Sequence, residues 1–182
     1  MRVLVAYMSW TGNTKKIADA VFQGISAEKE MKTLDEVTDA SGYDLIFVGF
    51  PIHGFGKPAE EAVSFLAERC AGKNVALFVT HSAPEDSPYV PPWLEACKEA
   101  AKGSLLLGLS DFQGQIALEQ VDLMLQSSDP EALEIVRNVV HSSLGQPDAA
   151  RLDRARAFAG EILAKLESEG VLSGNLPGGS YR

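Results

Sequence analysis

Four short, almost unbroken apolar runs constrain what this chain can fold into. They are residues 3–7 (VLVAY), 45–50 (LIFVGF), 75–80 (VALFVT) and 105–109 (LLLGL). None alternates apolar with polar residues, as a sheet with one wet face would require. Each therefore reads as a strand covered on both faces. Between them lie stripes at helical spacing: Ile17, Ala18, Val21, Phe22 and Ile25, then Ala59, Ala62, Val63, Leu66 and Cys70, then Leu94, Cys97 and Ala101. A last stripe joins Leu152, Ala155, Ala159, Ile162, Leu163 and Leu166. Strand alternating with helix predicts a parallel α/β sheet with helices on both sides.

Residues 31–34 make a weaker fifth strand. The chain from there to residue 45 leaves room for a turn or two of helix, expected over 35–40. Pro58 suits a first helical position, and Asp148 after Pro147 suits a cap. Residues 115–146 break the simple alternation. Ala117, Leu118, Val121, Met124 and Leu125 form one stripe there. Ala132, Leu133, Val136, Val139 and Val140 form another, opened by Asp129-Pro130. Two extra helices are expected before the last one. The sequence thus predicts one domain over 1–170, with a helical insert at 115–146 and a Gly-rich tail at 171–182.

The length of 182 residues suits a single domain. A formal charge of −9 argues against nucleic-acid binding, which needs clustered Lys and Arg. No apolar run approaches the roughly 18 residues of a membrane span. The first run is short and lacks a small-residue cleavage site, so a cytoplasmic protein is expected. Cys70 and Cys97 lie on helix faces and read as reduced packing residues.

The most informative segment is Ser9-Trp10-Thr11-Gly12-Asn13-Thr14, between the first strand and the first helix. It holds three hydroxyls, an amide and a glycine, and no acid. A turn entering a helix presents unpaired backbone N–H groups, and the helix dipole adds positive potential. Such a loop can hold a phosphate dianion without a lysine. An ordinary cap needs one such residue, not four small polar residues in six.

This loop resembles the FMN-phosphate loop of flavodoxins, [ST]-x-T-G-N-T, at every specified position, and it follows the first strand as in that family. The segment YDLIFVGFP at 43–51 is similar to the family's third strand and the start of its flavin loop. The resemblance covers roughly 1–112 and 148–166. It implies a flavodoxin-like three-layer α/β/α fold, with a five-stranded parallel sheet in the order 2-1-3-4-5, and FMN as cofactor. The two loops flanking the flavin ring are then Pro51, Ile52, His53, Gly54, Phe55 and Gly56, and Thr80, His81, Ser82, Ala83 and Tyr89. Ser9 to Thr14 would hold the phosphate. Trp10 and Tyr89 are candidate covers of the ring.

Gly54-x-Gly56-x-x-Ala59 copies the form of a dinucleotide fingerprint. It follows an interior strand, and the next strand ends in Thr80-His81 rather than in an acid for a ribose. His53 and His81 without a third ligand make a poor metal site, and no metal is expected. His141 on the insert reads as structural. Three functions fit: an electron carrier cycling FMN between unidentified redox partner proteins; an FMN-dependent oxidoreductase or a subunit of a larger reductase, taking hydride from NAD(P)H or acting on a quinone or tetrapyrrole; and an interaction module without flavin. The intact phosphate loop disfavours the last. No catalytic residue is assigned. The insert, absent from short flavodoxins, leaves the last strand on the flavin side, as edge cover or as a docking or lid element.

Overall fold

The structure is a computed structural model that describes residues 1–53, 56–126 and 129–174. The chain runs β1 (Arg2–Tyr7), α1 (Asn13–Gly24), β2 (Glu28–Thr33), a 3-10 turn (Leu34–Glu36), β3 (Leu45–His53), β4 (Lys57–Pro58) and α2 (Glu60–Arg69). It continues through β5 (Asn74–His81), α3 (Val90–Ala100), β6 (Leu105–Gln113), α4 (Leu118–Met124), α5 (Pro130–Ser143) and α6 (Ala149–Gly174). Neighbours in the sheet are ordered β2-β1-β3-β5-β6, all parallel, and β4 pairs antiparallel with the end of β3. Counted without the two-residue β4, the order is 2-1-3-4-5, the flavodoxin-like α/β arrangement expected from the sequence.

The unbroken apolar runs follow from burial on both faces. Val3, Leu4, Val5 and Ala6 of β1 are all inaccessible, as are Leu45 to Val48 of β3 and Val75 to Val79 of β5. Successive side chains go to opposite faces. Leu4, Ile46, Val48 and Leu77 meet α2 and α3 through Leu66, Phe65 and Cys97. Val3, Val5, Phe47 and Phe78 meet α1 and α6 through Ile17, Val21, Ala159 and Ile162. Burial pushes the thiols of Cys70 and Cys97 up to about 12, so both stay protonated packing groups.

Three local expectations need correction. The strand read at 31–34 is β2, Glu28–Thr33, a half-exposed edge strand of alternating charge that apolar counting misses. The helix expected over 35–40 is the single turn Leu34–Glu36. Glu36 caps it by accepting from the Thr33 N–H and hydroxyl, both at 2.9 Å. Pro58 does not start a helix. It lies in β4, and α2 begins at Glu60 after Ala59. Asp148 does cap α6, accepting the Arg151 N–H at 3.0 Å, and Asp129 caps α5, accepting from Glu131 at 3.0 Å. Both insert helices form where the stripes predicted them.

Candidate functional site

The parallel strands β1, β3 and β5 end on one rim, and a cleft opens there. Trp10, Thr11 and Asn13 line it from the first loop. Pro51, Ile52 and His53 line it from β3, and Thr80, His81 and Ser82 from the end of β5. Gln115, Ile116, Ala117 and Gln120 close it from the insert. None of these thirteen side chains is Lys, Arg, Asp or Glu.

One end of the cleft is the loop before α1. Gly12 caps the helix at φ 87°, a left-handed conformation that an L side chain adopts at a cost. A Cβ placed on it would meet nothing within 4 Å, so the helix N-terminus is open to a close-approaching group. The first turn of α1 holds no acid. The loop braces itself with neutral donors. Gly12 N–H donates to Ser9 Oγ at 3.1 Å. Asn13 Nδ2 donates to Thr11 Oγ1 at 3.0 Å and to the Gln115 carbonyl at 2.8 Å. Thr14, buried, shares a 2.8 Å hydrogen bond with the buried Thr80 hydroxyl. That bond uses one of the two hydroxyl hydrogens and leaves the other for a second acceptor. Open backbone donors, hydroxyls and a missing carboxylate are the chemistry a phosphate needs.

The other end is built from longer reaches. Trp10, half-exposed, lies edge-on to His53 with ring centroids 5.2 Å apart. Gly56, at φ 85°, presses on Trp93: a Cβ there would fall 1.7 Å from Trp93 Cδ1. Tyr89 stacks on the far side of Trp93 at 6.5 Å, and His81 meets it edge-on at 6.0 Å. His81 is buried, with Nδ1 3.0 Å from the Ala83 carbonyl and Nε2 3.1 Å from the Asp111 carboxylate. Both partners are acceptors, so the ring N–H donates to one of them and the side chain is held between the loop and β6.

Beyond His81 an ionic clasp ties the same loop to α6. Glu85 accepts from Arg151 Nε at 3.0 Å and from both Arg154 nitrogens at 2.9 and 2.6 Å, and takes the Gln113 N–H at 3.2 Å. Burial raises the Glu85 carboxyl. The Arg154 and Gln113 hydrogen bonds and the charges of Arg154 and Arg151 outweigh it and bring the group down to about 2. Gln113 extends the net, donating from Nε2 to the Ser82 carbonyl at 3.1 Å and to Ser142 Oγ of α5 at 3.0 Å.

Of the residues singled out in the sequence, Trp10, Thr11, Asn13, Pro51, Ile52, His53, Thr80, His81 and Ser82 converge on the one cleft. Ser9, Gly12 and Thr14 shape its loop from behind. Gly56, Ala83 and Tyr89 lie in the segments after β3 and β5 and are not among the lining residues. Gly54 and Phe55 lie outside the described residues. Four lining residues escaped the sequence reading, Gln115, Ile116, Ala117 and Gln120; the one signal was that the insert leaves its strand on this rim. Among the described residues, no three His, Cys, Asp or Glu side chains gather as metal ligands, and no helix is long and apolar enough to cross a membrane.

Residues 4–160 match the model of the flavodoxin domain family. The flavodoxin-like domain-containing protein BilS of Clostridioides difficile (strain CD3) is 30% identical over 175 residues, which is 91% of this chain and 98% of that protein. A solved flavodoxin from the Archaea superposes with a TM-score of 0.54 at 17% identity, covering 92% of this chain and 99% of its own. Fusobacterium nucleatum flavodoxin bound to flavin mononucleotide superposes at 0.54 with 11% identity, covering 92% and 98%. At those identities the two structures speak for the fold.

Proposed function

The chain belongs to the flavodoxin family, and from that premise we propose that it binds FMN and carries single electrons between protein partners. One observation carries the reading. The cleft on the carboxyl rim is donor-rich and carboxylate-free at one end and, among the described residues, free of Lys and Arg along its lining. The first property suits a phosphate, the second a redox-active ring.

In this reading the backbone N–H groups of the loop 9–14, with the Thr11 and Thr14 hydroxyls, hold the phosphate at the positive end of α1. Pro51, Ile52 and His53 face the ring on one side and Thr80, His81 and Ser82 on the other. Bound there, FMN supplies a centre that accepts and gives up electrons. Trp10 shields the cleft mouth from water. With no Lys or Arg among the described lining residues, negative charge added to the cleft would have no Lys or Arg counter-ion there. Such a wall would make each further negative charge in the cleft harder to add, a property that would suit single-electron transfer by a bound flavin.

The test is an anaerobic redox titration of the FMN-loaded protein. Two resolved one-electron midpoints support the carrier. A single two-electron wave contradicts it and leaves the oxidoreductase reading, with NAD(P)H or a quinone as the substrate to assay.

A further inference from the structure

The insert is built unlike the rest of the surface. Its foot is fastened: Ile116 N–H donates to the fully buried Ser143 hydroxyl at 3.2 Å, Gly145 N–H to Gln115 Oε1 at 3.1 Å, and Gln113 to Ser142. Val136 is buried at 3% exposure, so α5 has an inner face. The outer surface follows neither the core pattern nor that of an ordinary solvated helix. Of the nine large apolar side chains exposed among the described residues, four are here: Leu118 at 75%, Leu144 at 60%, Leu125 at 48% and Ile135 at 47%. The same segment carries the exposed acids Glu119, Asp122, Asp129, Glu131 and Glu134 against Arg137 alone among Lys and Arg. The 32 residues of 115–146 thus carry a net −4 of the chain's −9. Exposed apolar groups on a segment dominated by one sign of charge mark an interaction surface.

The same segment reaches the cleft. Ala117 and Gln120 line it from α4 and the turn before it, and the Gln115 carbonyl receives Asn13 of the first loop. A body seated on the insert therefore sits beside the cleft mouth.

We infer that α4 and α5 form the docking surface for the electron partner, a protein with a basic rim around an apolar centre. This rests on the carrier reading above. The acidic charge of the segment steers the partner in and sets the salt dependence of encounter. Leu118 and its neighbours then hold it where the cleft opens.

The test uses the FMN-loaded full chain, reduced with dithionite under anaerobic conditions and mixed in a stopped flow with ferric cytochrome c as a basic probe. Each turnover moves one electron from the reduced protein to ferric haem, which becomes ferrous. Two variants each lose four acidic charges, to a net −5. One is Glu119→Gln, Asp122→Asn, Glu131→Gln and Glu134→Gln on the insert. The control is Glu61→Gln, Glu68→Gln, Glu95→Gln and Glu99→Gln, exposed carboxylates of α2 and α3. All must retain FMN to the wild-type level. The expected result is a second-order rate about tenfold lower for the insert variant at low salt, with its salt dependence flattened, and within about twofold for the control. Leu118→Ser alone is expected to slow transfer severalfold at high salt, where steering is screened. Equal slowing in both charge variants, or none in the insert variant, overturns the docking surface while the carrier reading stands. A wild-type protein that reduces no cytochrome c overturns the carrier reading and the docking surface with it.

Discussion

The two ends of the cleft are held together by different forces. At the Gly12 end a rigid helix start and neutral donors do the work: Ser9, Thr11, Asn13 and Thr14 bond to one another, to backbone and to Thr80. At the His81 end the loop is tied down by the His81–Asp111 hydrogen bond and by charge, through Glu85 between Arg151 and Arg154. The difference teaches where each kind of bond is useful. A phosphate would bring its own charge, so a loop built to take one needs donors and no ion. The opposite wall needs to stay in place, and the partly exposed ion pairs of Glu85 with Arg151 and Arg154 fix its loop from residues that do not line the cleft.

The comparison is broken most directly at the neutral end. Thr11→Ala with Thr14→Ala should weaken FMN binding by about 3 kcal/mol, roughly two orders of magnitude, as read by flavin fluorescence titration. A change under threefold would mean that the anchor lies elsewhere. At the charged end the pattern should invert. Glu85→Gln should cost about 2 kcal/mol of folding stability in urea, because Arg151 and Arg154 lose their partner, while FMN affinity stays within about threefold. A large loss of affinity with little loss of stability would erase the distinction between the two ends.

Acid sharpens the same contrast. Glu85 sits at about 2 in the folded chain against an ordinary 4.5. Its folded value is the lower, so its contribution is complete above pH 4.5 and disappears as the pH falls from there toward 2. It is worth up to about 3 kcal/mol, less for the quarter of the side chain that remains solvated. The Glu85→Gln protein should lose less stability than wild type across that window. Parallel acid curves would remove the clasp from the account. The smallest effect is expected at Gly12→Ala. A Cβ there meets no atom, so only the left-handed backbone is penalised, by about 1–2 kcal/mol in thermal or urea unfolding. A neutral result would show that the loop relaxes out of its φ of 87°.

Legibility in the sequence followed the range of the interaction. Strands β1, β3 and β5 announce themselves because burial on both faces leaves an unbroken apolar run; the run 105–109 also marks a strand, but β6 lies at the sheet edge with Leu105 exposed, so its expected cover on both faces is corrected. Edge strand β2 does not announce itself, since Glu28, Glu30 and Lys32 share one face while Lys29, on the other, donates to the Phe22 and Ile25 carbonyls. The first loop is legible because Ser9 to Thr14 act over a handful of residues. The rest of the site depends on pairs far apart in the chain: Asn13 with Gln115, Thr14 with Thr80, Glu85 with Arg154. No local pattern encodes such pairs. Trp93 lies within the regular α3, and its role appears only once Gly56 is brought against it.

The central claim is that this chain holds FMN by its phosphate at the loop 9–14. It is tested most directly by titrating the flavin-free protein with FMN and, separately, with riboflavin, which has the same ring and no phosphate. The account predicts quenched, tight FMN binding and riboflavin binding at least a hundredfold weaker. Equal affinity for the two flavins, or no binding of FMN, would contradict it.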